Sequence, residues 1–314
     1  MTLAQFLEIC LVVLVLGAGA WTIAARSAHA AITGFVSYGL LLSLVWVQLA
    51  AVDVALAEVA IGGGLTGVLL LTAAARLQGR ESQPIQWPSR LHRCVAAVLC
   101  TALTAALCAV VLWLPDPAPT LAPAAAGALP ALGLGNAVTG VLLAHRALDT
   151  VLETVVVLLA LVGVWSLAPD RYWNGRPGQR QEVDSDGVLP FFARVLPPIG
   201  VLLGIHLVFV GANAPGGKFQ GATVLAAMWL LVMMAGLRDA PAIGSRWLRI
   251  GLVFGPAVFF AIGLIGIGTA GAFLAYPPDY AKVLIVTIEL TLMVSIALTL
   301  GLLVVGPPER PDTR

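Results

Sequence analysis

The chain has 314 residues, 60% hydrophobic and 11% charged, with a mean hydropathy of +0.98. Soluble globular domains carry about 25% charged residues, so this composition excludes a soluble protein and indicates an all-α integral membrane protein. The net charge of +1, with basic residues scattered through loops, excludes an electrostatic case for nucleic acid as a partner.

Apolar windows of about 20 residues predict nine transmembrane helices, near 5–24, 31–50, 54–76, 93–114, 151–168, 194–213, 219–237, 248–274 and 281–305. The first is read as a retained helix and not a signal peptide, because no basic region follows Met1 and Glu8 stands in its place. Polar linkers at 78–90 and 169–190 divide the chain into three blocks. The Pro- and Ala-rich stretch 116–135 is apolar but interrupted by four prolines, and is expected to lie along or dip into the outer membrane surface.

Short loops rich in Lys and Arg stay in the cytoplasm. One side collects Arg26, Arg76, Arg80, Arg90, Arg93, Arg171, Arg176, Arg180, Arg194, Arg238, Arg246, Arg249, Arg310 and Arg314; the other receives only Arg146, Lys218 and Lys282. This split places the N-terminus outside and the C-terminus in the cytoplasm, as an odd number of helices requires.

Asp53, Glu58 and Glu289 lie within or at the edge of these apolar stretches. A charged side chain at the centre of a membrane helix costs about 2.5–3.5 kcal/mol on insertion scales, so it faces protein or a watery path. Asp53 stands where a helix starts and is read equally as a cap and as a candidate on an ion path. Glu58, about 7.5 Å deeper and rotated by roughly 140°, is the preferred ion-path candidate against a protonated structural carboxyl. Gly62, Gly63, Gly64 and Gly67 follow it. Each helix-interior glycine costs about 0.8–1 kcal/mol relative to Ala, which calls either for close helix packing or for a π-type hinge.

Arg146, Asp149 and Glu153 share one stripe if they lie on one continuous helix. A self-neutralising structural cluster is slightly preferred there over an ion entrance. Glu289 has Lys282 seven residues earlier on its face but no evident local charge partner, so it must face another helix or subunit. His206, in mid-helix, is more readily a satisfied core residue than a proton relay. The turn through Pro215, Gly216, Gly217, Phe219, Gln220 and Gly221 fails as a nucleotide loop, because Ala212 stands where a first glycine is needed and Phe219 follows Lys218 where Ser or Thr should be. It reads as an outer hairpin. Cys10, Cys94, Cys100 and Cys108 have no CxxC spacing and imply neither disulfide nor metal site. No cofactor and no catalytic set are expected, hence no enzyme.

Three blocks also resemble a known family. Residues 31–71, AITGFVSYGLLLSLVWVQLAAVDVALAEVAIGGGLTGVLLL, look like the MbhD-type domain of Mrp cation/proton antiporters and energy-converting hydrogenases. Residues 135–164, GNAVTGVLLAHRALDTVLETVVVLLALVGV, resemble the adjoining MbhE-type domain, and residues 191–305, with FVGANAPGGKFQGATVLAA, are similar to the MrpB subunit. The resemblance implies an MbhD-like three-helix domain at 1–78, an MbhE-like domain at 93–170, a cytoplasmic linker at 171–190 and an MrpB-like four-helix domain at 191–308. It also implies kinship with a complex I subunit that carries a π-bulge. The chain departs from the family pattern at Lys218 and Ala222, where glycines are usual, and at Leu152.

The expectation that follows is an accessory subunit of an Mrp-type antiporter in the plasma membrane, in contact with other antiporter subunits, the bilayer, a transported cation and the proton. It has only two lysines, both on the outer side, whereas pumping subunits of this superfamily carry lysines in mid-membrane. The alternatives are a membrane-arm subunit of an energy-converting hydrogenase or ion-coupled uptake system, and a self-sufficient secondary transporter, which would show two similar halves.

Overall fold

A computed structural model describes residues 2–77, 89–115, 117, 119–179 and 187–311. The helices are α1 (Leu3–Ala24), α2 (Ala28–Gln48), α3 (Val52–Leu77), α4 (Arg90–Trp113), α5 (Ala122–Leu132), α6 (Ala137–His145), α7 (Ala147–Trp165), α8 (Val188–Gly211), α9 (Lys218–Met234), α10 (Arg246–Ala270) and α11 (Ala281–Val305). Each of the nine expected spans coincides with a helix. Eight helices among the described residues are long and apolar enough to cross a membrane. The expected span 219–237 is the exception, since α9 has only 17 residues, about 25 Å at 1.5 Å per residue. Polar linker 78–90 falls almost wholly outside the described residues, as do Arg80, Arg180 and Arg314.

The expected helix 151–168 starts earlier, at Ala147. Before it, α5 and α6 meet at 89° as a bent pair, so the proline-rich stretch contributes a broken span or re-entrant hairpin. Gly133, in the left-handed conformation with φ 66°, ends α5, and Asn136 starts α6 by accepting the Val138 N–H at 2.8 Å.

Helix α11 is the hub. More than half of its apolar window is buried, against none of that of α4, and it packs on α3, α7, α8, α9 and α10. Small residues set how closely the helices approach. A Cβ on Gly255 would come within 2.6 Å of the Thr291 carbonyl oxygen, and one on Gly204 within 3.2 Å of that of Gly221. Ser295 joins α11 to α10, accepting the Gly255 N–H at 2.9 Å and donating to the Gly251 carbonyl at 2.8 Å. Around this hub Val208, Ala222, Phe259, Ile285, Ile288 and Leu292 are fully enclosed.

The arginine-rich ends of the helices meet on one side. β1 (Arg176–Pro177) pairs antiparallel with β2 (Pro308–Arg310), so part of the expected linker 171–190 is structured. There Arg76 bonds Glu309 at 2.7 Å, Arg310 reaches Asp239 at 3.3 Å, and Arg249 donates to Asn174 at 3.2 Å. Lys282 lies at the opposite end, donating to Asn213 at 3.0 Å. In a cysteine-free background, an impermeant maleimide should label Ala214→Cys on intact cells and Arg246→Cys only after permeabilisation. Labelling of both from one side would contradict this sidedness.

Candidate functional site

Asp53 enters α3 in its first turn but does not act as a cap of its own helix. Its carboxylate accepts the Gly216 N–H at 3.0 Å and the Asn136 side-chain amide at 3.4 Å to each oxygen, while Gln220 donates to its main-chain carbonyl at 3.4 Å. Asn136 also donates to the Ala214 carbonyl at 3.0 Å, the Gly135 and Asn136 N–H groups donate to that of Ala212, and Thr139 donates to that of Gly211 at 2.7 Å. One carboxylate and one asparagine thereby fasten α3 and α6 to the turn between α8 and α9.

That turn is tight because Gly216 and Gly217 take φ 155° and 135°, a region open to glycine. A Cβ on Gly211 would come within 2.8 Å of Gly217. The reversal drives Lys218, the first residue of α9, inward until only 4% of it is exposed. Its ammonium lies 3.7 Å from Glu153 of α7 and 4.7 Å from the centre of the Phe219 ring. Glu289 of α11, also 4% exposed, interacts electrostatically with both Lys218 and Asp53.

These groups surround a cavity of about 240 Å³ lined by Asp53, Glu153, Lys218, Gln220 and Glu289, with Val138, Thr139 and Leu143 among the α6 residues. It draws walls from all three sequence blocks. Beside it the backbone is broken: α6 winds as a π-helix over Val141–His145, and Arg146 leaves helical geometry before α7 begins. Thr150 donates to the Leu142 carbonyl at 2.7 Å and the Tyr276 phenol to that of Leu143 at 2.8 Å, so the carbonyls at the break stay satisfied. Burial pushes the Tyr276 phenol above its ordinary pKa.

The expected stripe of Arg146, Asp149 and Glu153 is divided. Arg146 and Asp149 form an exposed ion pair at 2.5 Å, whereas Glu153, one turn further along α7, has Lys218 of α9 at 3.7 Å. Glu289 does face another helix, but its partner is Lys218 and not Lys282. Glu58 lies outside this cavity. It opens a π-helical segment, Glu58–Leu65, and its carboxylate sits where Cβ atoms on Gly39 and Gly62 would fall. The glycines after it serve both readings at once: Gly63 lies against α2, a Cβ on Gly67 would come within 2.6 Å of Val36, and Thr66 donates to the Ile61 carbonyl five residues back at 2.8 Å. His206 is exposed on α8, neither a core residue nor a lining group of the cavity.

Sequence reasoning missed Asn136, Thr139, Tyr276 and the inward turn of Lys218. The signal for the last was present, as a lysine directly behind two glycines at a helix start.

Residues 13–79 match MbhD, a family of MBH subunits, and residues 188–307 match a domain related to the MnhB subunit of Na+/H+ antiporter. The two matched segments follow one another along the chain, the MbhD-like one first. A chain in the structure of the Mrp complex from Dietzia sp. DQ12-45-1b is similar over 97% of this chain, with 25% identity and a TM-score of 0.73. The present chain spans 35% of that chain's length. No match was found among curated proteins. With eight helices among the described residues long and apolar enough to cross a membrane, the protein is a multi-pass membrane protein, similar over nearly its whole length to part of a chain of an Mrp complex.

Replacing Asp53 with Ala removes the acceptor of the Gly216 N–H and the Asn136 amide. The expected loss is about 1–3 kcal/mol, read as a lowered thermal unfolding midpoint in detergent. An unchanged midpoint would free Asp53 from this fastening role.

Proposed function

We propose that the protein is an accessory subunit of an Mrp-type cation/proton antiporter complex, contributing part of the ion path and the contacts to pumping subunits. The observation that carries this reading is the burial of Glu289 beside Lys218, at a cavity where α3, α6, α7, α9 and α11 meet. Intramembrane ionisable groups are costly, and in membrane proteins they mark ion pathways and proton relays.

Glu289 is the leading ion-path residue, with Glu153 and Lys218 at its approach and Asp53 holding the wall. Glu58, at the head of the π-segment of α3, is a second station, reached if the hinge rearranges. Arg146 and Asp149 flank the entrance as a neutralised pair. The partners are other antiporter-complex subunits and the lipid bilayer, and the carried species are a cation and the proton. Helices α1 and α4 support this, because their apolar side chains are exposed over most of their length and need lipid or another subunit. The N-terminus lies outside and the C-terminus in the cytoplasm.

The match of residues 13–79 to a family of MBH subunits favours one other reading, a membrane-arm subunit of an energy-converting hydrogenase.

Reconstituted into liposomes with its partner subunits, the protein should support cation-driven proton movement, and the chain alone should show none. In the assembled complex Glu289→Gln should remove most transport and Glu58→Gln should reduce it less. Robust antiport by the single chain, or full transport by an assembled Glu289→Gln complex, would refute the assignment.

A further inference from the structure

Three carboxylates, Asp53, Glu153 and Glu289, and one ammonium, Lys218, line the cavity. The carboxylates are not equivalent. Asp53 is engaged by Gly216 and Asn136, and Glu153 is half-exposed with Lys218 leaning on it at 3.7 Å. Glu289 is the deep one. Its Oε2 is buried and accepts no hydrogen bond, although an uncompensated carboxylate in such a place is costly. Gly217 keeps Glu289 uncovered on one side, since a Cβ there would come within 3.2 Å of its Oε1.

We propose that this cavity binds one partly hydrated monovalent cation against Glu289, and that the Lys218 ammonium is a tethered competitor for that place. The inference rests on reading the cavity as part of the ion path, and it names the occupant. With Lys218 drawn toward Glu153, the Glu289 oxygen is open to the ion; with Lys218 moved inward on its four-carbon stem, the ammonium neutralises Glu289 and the ion leaves.

Size and ligand geometry fit this occupant. At about 30 Å³ per water, 240 Å³ holds a small cation with several waters. A tight divalent site is a poorer fit, because Ca²⁺ takes about 6–8 oxygen ligands and, among the described residues, no three His, Cys, Asp or Glu side chains converge on one point.

The test is the thermal unfolding of the purified full chain in detergent, titrated with sodium or potassium chloride against choline chloride at matched ionic strength. Wild type should be stabilised saturably by an alkali cation and not by choline, and Glu289→Gln should abolish the response. Lys218→Met, which removes the competitor, should lower the half-saturating cation concentration about tenfold or more, while Lys218→Arg should hold it near that of wild type. If Lys218→Met does not fold, wild type against Glu289→Gln still decides. Equal behaviour in choline and alkali salts, a response retained in Glu289→Gln, or an unshifted titration in Lys218→Met would each overturn the inference. Absence of binding beside intact antiport by the complex would sink this inference and leave the subunit assignment standing. Binding beside a complex that transports no cation would do the reverse.

Discussion

A carboxylate on the most enclosed helix of an apolar bundle has to be compensated, and much of the architecture around α11 follows from how this is done. Glu289 sits about 12 Å into that helix at 1.5 Å per residue, almost wholly enclosed. The nearest cation, Lys218, arrives from a different helix, so α9 must begin beside α11. The turn before it must also be narrow enough to point its first side chain inward. Gly216 and Gly217 meet the second demand, and the fastening of that turn to Asp53 and Asn136 keeps it in place. Two distant segments therefore become walls of one site through a single charge placed in low dielectric.

The second constraint is that backbone polar groups in a membrane need internal partners. Both π-segments, in α3 and α6, lie near the charged residues, and their departures from regular winding are accommodated locally. Hydroxyls of Thr66, Thr150 and Tyr276 take up the Ile61, Leu142 and Leu143 carbonyls. The winding changes beside Glu58 and beside the cavity without leaving those carbonyls bare. Glycines in α3 serve packing and winding together, because the absence of side chains that lets α2 approach also lets the extra residue of the π-turn fit.

The exterior carries its own information. On α4 no residue is buried, and on α1 only Leu11 is, whereas α11 has neighbours on nearly every face. The contacts concentrate around the segment 188–307, while the apolar side chains of α1 and α4 are left exposed over most of their length.

The approximate limits of the long helices and the clustering of arginine-rich ends were legible in the sequence, because bilayer thickness fixes the length of an apolar run and polar loops interrupt it; the bent pair α5 and α6 and the shortness of α9 were not. The glycine run after Glu58 announced a helix under special constraint. It could not say whether packing or winding was the cause, and the fold shows both. What the sequence left open is which charges meet. Arg146, Asp149 and Glu153 have the spacing of one stripe, yet Arg146 pairs with Asp149 alone while the buried Lys218 of α9 comes to Glu153. Lys282 has helical register with Glu289, but its long side chain reaches the exposed Asn213. Lys218 read as part of an outer hairpin, since hydropathy carries no direction. The Gly216–Gly217 reversal and the packing of α9 against α8 and α11 together turn it into the interior, where its partners are set by distances in space that spacing along the chain does not encode.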